Sequence, residues 1–306
     1  MTAPAPRPFR FGLQVARAES RQEWQDIARR AEDLGFDTVL VPDHVGTMLS
    51  PMVALATMAE ATTRLRVGTF VLNNDFRHPA LLAREAASVD LLTDGRLELG
   101  LGAGHSAPEY AEIGLAFDGA GVRVARLEES ARLLRRLFDG EEVTLAGAHY
   151  HVTAHRLFPL RRPQLLIGGN GDRVLALGAE VGNIVGFTGL GRTQPDGQHH
   201  DIEWEPAQID AKVALVRDAA GARLRTIEFN ALVRHVEITD DRRAAAELVA
   251  RGLDVEPQLL LETPYMLIGT VDEIVADLYS ARDRWGFSYY VTRDAEQTAR
   301  IIAAVA

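Results

Sequence analysis

Residues 65–79 run LRVGTFVLNNDFRHP. The first half is apolar and β-branched, the pattern of a buried parallel strand, and the second half ends in Asn73, Asn74 and Asp75, residues that turn a backbone. Pro79, with φ fixed at about −65°, suits a first helical turn. The unit is strand, polar tip, helix, with the tip at the strand's carboxyl end. In a (β/α)8 barrel that end carries the chemistry.

Working outward, the same unit recurs. Residues 9–15 (FRFGLQV) read as strand one, and Trp24, Ile27, Ala28, Ala31 and Leu34 fall at helical spacing before Gly35. Strand two, 38–41, ends in Pro42-Asp43-His44, with a helix over 51–61. The opening stretch is strand three, its helix is 81–92, and Asp94-Gly95 turns into strand four, 96–104 (RLELGLGAG). Strands five to eight are expected at 164–168, 184–188, 227–236 and 288–292. Helices are expected at 123–138, 172–180, 207–219, 242–251, 256–261, 271–285 and from Asp294. Two insertions interrupt the period, about 105–160 after strand four and 189–225 after strand six. The first holds a hairpin over 143–152 with Gly147-Ala148 at its tip. The second opens with residues 189–206, GLGRTQPDGQHHDIEWEP, which show no periodicity and read as a lid, a binding loop or disorder.

The fold class is therefore α/β, a (β/α)8 TIM barrel expected as one domain over 1–306. An open Rossmann-type sheet is the rival. No G-x-G-x-x-G follows the first strand, and the glycine pairs lie at the ends of strands four and five.

Composition narrows the partners. The net charge of −10 disfavours nucleic acid and anionic membrane, so a small-molecule substrate is expected. There is no cysteine, which removes disulfides, thiolate catalysis and sulfur-ligated metal. No apolar run of about 18 residues occurs, and MTAPAPRPF lacks a secretory pattern. A soluble cytoplasmic protein is the expectation.

Several strand tips carry candidate chemistry. Asp43-His44 sets an acceptor beside an imidazole able to pass protons near neutral pH, or else caps and packs. His105 follows Gly102-Ala103-Gly104, where small residues let a ligand approach; with Ser106 and Glu109 it also reads as a glycine-ended strand and a helix N-cap. Gly168-Gly169-Asn170-Gly171 leads into a helix and offers either an anion seat or a tight turn. Arg77 and His78 are able to hold an anionic tail or to be solvated helix-entry charges. Tyr265, Tyr289 and Tyr290 read as core and rim packing. His149 and His151 share a face of an expected strand without a third ligand, His199-His200 sit in the long loop, and no H-E-x-x-H occurs, so no metal is expected.

Taken together, FRFGLQV, the PDH tip, GTFVLNNDFRHP, DLLTDGRLELGLGAG, LLIGGNG and LIGTVDEIVADL resemble the luciferase-like monooxygenase superfamily, and within it the deazaflavin oxidoreductases that use coenzyme F420. The resemblance implies a bacterial-luciferase-type barrel, a cofactor ring over its mouth and a homodimer. It implies that Asp43 contacts the deazaflavin, that His44 is catalytic and that Phe70-Val71 is a cis peptide behind the ring. Asn73, Gly104 and His105 then lie at the cofactor, and Gly168, Gly169 and Asn170 beside its phosphate. Sugar-phosphate dehydrogenases of this branch carry a glutamate where His105 stands and grip the substrate phosphate with basic side chains that include lysines, whereas Lys212 is the only lysine here and a poor match. The implied reaction is hydride transfer between F420 and an unidentified organic substrate, with Asp43, His44 and His105 as catalytic candidates. The alternatives are a monooxygenase using reduced flavin mononucleotide (FMN) and oxygen, and a non-catalytic cofactor- or metabolite-binding barrel.

Overall fold

The structure, a computed structural model, describes residues 6–46, 48–194 and 200–305. Its centre is a closed ring of parallel strands: β1 (Arg10–Gln14), β2 (Thr38–Val41), β3 (Arg66–Thr69), β4 (Leu97–Gly102), β5 (Gln164–Gly168), β6 (Ile184–Phe187), β7 (Glu228–Leu232) and β8 (Phe287–Thr292). Each pairs with the next in chain order, and β8 returns to β1. A short piece, Leu72–Asn73, carries β3 onward beside β4. The fold class expected from the sequence is the one observed.

Around the ring lie α1 (Arg21–Asp33), α2 (Pro51–Ala59), α3 (Pro79–Leu92), α4 (Ala107–Glu112), α5 (Ala120–Phe138), α6 (Asp172–Val181), α7 (Pro206–Ala220), α8 (Arg242–Leu253), α9 (Pro257–Leu261), α10 (Val271–Trp285) and α11 (Ala295–Val305). Their starts follow local chemistry. Ser20 accepts from Glu23 N–H to cap α1, and Thr270 with Glu273 forms a reciprocal box on α10. Among the described residues no helix is long and apolar enough to cross a membrane.

Period-two alternation splits the core in two. Leu40, Phe70, Leu166, Ile184, Leu232, Tyr289 and Val291 meet inside the ring. The outward residues of the same strands, such as Val39, Val67 and Phe229, pack against the helices. Below the inner apolar layer, at the amino ends, Glu98 is fully buried and accepts from Arg10 (2.5 Å), Arg66 (2.8 Å) and Tyr289 Oη (3.1 Å), while Arg10 also pairs with Glu228 at 2.6 Å. This ion cluster fills the amino-terminal end of the barrel.

Three sequence expectations are corrected. The run 227–236 is not one strand. After Val233 the chain turns out, Arg234 N–H donates to Tyr265 O, and His235–Ile238 pairs in parallel with Met266–Gly269 away from the ring. Apolar alternation continues through the break, and periodicity cannot say which partner a strand takes. The stretch 189–206 contains an antiparallel ladder, Leu190–Thr193 with His200–Ile202. Its strands are short and mostly polar, and among its described residues only Ile202 packs against the core, so little core face imposes a period. His149 sits in the turn between Val143–Ala146 and His151–His155 and not on a strand with His151. His199, the tip of the ladder and residues 1–5 lie outside the described residues.

Candidate active site

The carboxyl ends of the strands open into a mouth whose floor is built by one side chain and several missing ones. The Phe70–Val71 peptide is cis, at the place the resemblance gives it. A Cβ on Gly102 would stand 2.7 Å from Val71 Cγ2, and one on Gly168 2.9 Å from Val71 Cγ1. Val71 therefore lies across the ends of β4 and β5, and only residues without a side chain leave it room. On β6, a Cβ added to Gly186 would stand 3.3 Å from Gly168 Cα. The result is a shallow apolar platform along β4, β5 and β6, a cradle that ordinary side chains would fill and that suits a flat ring.

Two histidines stand at its edge. His44, on the tip after β2, places Nδ1 2.7 Å from Glu109 Oε1, and Glu109 Oε2 accepts from Val45 N–H at 3.3 Å. With the carboxylate accepting the Nδ1 proton, Nε2 carries the lone pair. The His105 ring lies 5.6 Å from that of His44 and 5.3 Å from that of His200, which the ladder after β6 brings over the mouth. His105 keeps solvent contact, yet desolvation in the mouth, then the His200 and His44 charges, lower its imidazole to about 4, so it is neutral at pH 7.

The remaining sequence candidates sort by what they touch. Asp43 is engaged: Arg77 bonds both its oxygens (2.5 and 3.0 Å) and Asn73 N–H donates to Oδ2 at 2.9 Å. Arg77 is thus committed to Asp43, and His78 caps α3, accepting from Ala80 N–H at 3.3 Å. Asn73 Oδ1 accepts from Asp75 N–H and from Tyr110 Oη. Gly104, at φ +76°, backs onto the same Tyr110 and Asn73 atoms, too close for any Cβ. This corner is satisfied internally: the single Tyr110 hydroxyl proton is shared between Asn73 Oδ1 and Asp75 Oδ2, and Asp75 also accepts from Arg126 Nε and Nη2.

On β5's tip, Gly169 N–H continues the ladder to Gly186 O, and Asn170 Nδ2 donates to Glu203 Oε2 at 2.6 Å. Asn170 Oδ1 is buried without a partner. The start of α6 already carries an anion, Asp172, paired with Lys212 at 2.8 Å. Tyr265, Tyr289 and Tyr290 are fully buried, core rather than rim. Among the described residues no group of three His, Asp or Glu is placed to hold a metal ion.

Glu109 is the residue that sequence reasoning missed. Its spacing from Ser106 suggests helix capping, yet Ser106 makes no side-chain cap bond and Glu109 turns to His44. A carboxylate on the short helix that follows a strand tip, in a chain with a histidine on another tip, is the only signal the sequence offered.

A parallel (β/α)8 barrel with glycine-floored mouth and paired imidazoles defines a class of enzyme-like barrels whose site lies at the strands' carboxyl ends. Residues 7–257 match the luciferase-like monooxygenases. The chain belongs to that family. It is 33% identical over 302 residues to the F420-dependent glucose-6-phosphate dehydrogenase of Beutenbergia cavernae, covering 88% of this chain and 87% of the relative. It is 28% identical over 297 residues to the enzyme of the same name from Nakamurella multipartita, covering 92% and 83%. Among solved structures, an F420-dependent secondary alcohol dehydrogenase in complex with an F420-acetone adduct superposes with a TM-score of 0.76 at 17% identity, over 98% of both chains.

Proposed function

We propose that this protein is an F420-dependent oxidoreductase that moves hydride between the deazaflavin and a small organic substrate. The observation that carries the reading is His44, held through Nδ1 by Glu109 at the edge of the Val71 platform. The names of its relatives support the same cofactor. Val71, Gly102, Gly168 and Gly169 would hold the ring, with Asn170 beside the phosphate and Asn73 and Gly104 shaping the wall. When bound, the deazaflavin supplies a two-electron hydride acceptor that reacts poorly with oxygen.

The protein's own part is proton handling and orientation. His44 Nε2 takes the hydroxyl proton of an alcohol substrate as its carbon gives up hydride, and returns it in the reverse direction. Glu109 fixes the ring and stabilises the imidazolium formed. His105, neutral, positions the substrate oxygen by hydrogen bonding and is not a proton reservoir near pH 7. Asp43, bound by Arg77 and the Asn73 N–H, holds the two tips in register and is not a proton carrier. The ladder after β6 covers the mouth and excludes water. The expected setting is a cytoplasmic homodimer, which sedimentation velocity would check.

The test uses purified protein with F420 and a panel of alcohols and carbonyls. His44→Ala should lower kcat by about 10²–10⁴-fold while F420 affinity changes less than threefold. An unchanged kcat would remove His44 from the reaction. The family also contains monooxygenases by its description, so oxygen consumption with reduced FMN and none with F420 would favour that second reading.

A further inference from the structure

Two arginines stand on the wall of the mouth across from Val71. Arg234 lies two residues beyond Leu232, Arg293 two beyond Val291, and Leu232 and Val291 both face the barrel interior. The strands end at Leu232 and Thr292, and the same parity carried just past those ends sets Arg234 and Arg293, both solvent-exposed, at the level where the barrel opens. Leu232 is level with Val291 across β7 and β8, and Val233 N–H donates to Val291 O at 2.8 Å. The two arginines therefore come side by side. β7 and β8 lie four strands round the ring from β3 and β4, and β7 borders β6, so this wall adjoins the far edge of the platform.

Arg293 Nε donates to Gln14 Oε1 at 2.7 Å, and Gln14 Nε2 donates to Phe70 O at 3.0 Å, a chain that ties the wall to the peptide carrying Val71. Among the described residues, Arg293 makes no other side-chain hydrogen bond, Arg234 makes none, and neither has a carboxylate partner. The nearby acids in sequence are engaged: Asp294 accepts from Gln297, and Glu237 pairs with His235 at 2.9 Å. Although Arg234 keeps solvent contact, partial desolvation and then the Arg293 charge lower its guanidinium from the ordinary value, so the two cations are close enough to repel. Neighbouring guanidiniums without an anion disfavour the empty protein, and their planar forks match a carboxylate or phosphate.

We propose that Arg234 and Arg293 seat an anionic group of the substrate, a carboxylate or a phosphate, and so select small anionic alcohols or carbonyls over neutral ones. This rests on the mouth being the active site described above. The cofactor's own phosphate is expected at Gly168 to Asn170, after β5 and two strands from β7, so it takes different residues.

Cofactor-free protein is titrated calorimetrically with inorganic phosphate, and its melting temperature is read with and without phosphate. Wild type should bind, and Arg234→Met with Arg293→Met should weaken binding at least tenfold, while Arg251→Met on α8 leaves it unchanged. Arg234→Met alone has no side-chain hydrogen bond to lose, so without phosphate it should melt no lower than wild type, and phosphate should no longer raise its melting temperature. A merely structural arginine would lower it. Equal phosphate binding by wild type and the double variant, or binding by neither, overturns the seat. So does a tenfold loss of F420 affinity in the double variant, which would assign the pair to the cofactor. Phosphate binding that depends on the pair in a protein that fails to bind F420 supports the seat and removes only the cofactor assignment.

Discussion

His105 shows how one side chain links the site to the stability of the fold. Its folded value of about 4 lies below the ordinary 6.5 of an unfolded histidine. Between those values the unfolded chain binds the proton and the folded chain does not, so stability falls as pH drops from about 7 toward 4. His105→Asn removes this linkage. Its melting temperature should decline less than that of wild type between pH 7 and pH 5, measured by scanning calorimetry in matched buffers; parallel declines would place His105 outside the crowded mouth. The residue scale is also where the sequence was least legible. His44 and His105 were readable as strand-tip residues, but Glu109 carried capping spacing, and Arg234 looked like part of a continuing strand. What separates these readings is the direction of a side chain, which depends on distant strands.

At the scale of elements, the barrel staves were legible because each is a short apolar run closed by turn residues and followed by a helical period. β2 falls on the expected residues, and β1, β4 and β8 differ only at their ends. The ladder Leu190–Thr193 with His200–Ile202 was not, since little behind it demands alternation. Its anchor is Trp204, 2% exposed, which packs near Tyr265 and directly under Gly189. Trp204→Ala should release the ladder without opening the barrel. Hydrogen exchange should then speed up at Leu190 to Gly191 and His200 to Ile202, with β5 to β8 still protected. Loss of protection across the barrel strands as well would make Trp204 part of the main core.

For the whole molecule, closure distributes the load. Every stave has two partners, and the amino-terminal end is filled by charges instead of apolar side chains. Nothing in the sequence brings Arg10, Arg66, Glu98 and Glu228 together; only the ring does. Glu98→Gln keeps the shape and removes the charge that three donors share. The arginines left behind retain some solvent contact, so the loss should be near the low end for a broken buried pair, about 3 kcal/mol by urea denaturation. Cofactor affinity of the folded protein should not change. A loss under about 0.5 kcal/mol would mean that Arg10 and Glu228 suffice alone.

The same ion cluster has a consequence for traffic. A barrel plugged at its base is a blind well, with a single doorway for everything that reacts in it. Whatever settles on the Val71 platform at the bottom must arrive before the partner that lies above it and must leave after it. Turnover would then follow a compulsory order, with the last arrival competing against its own product for the doorway.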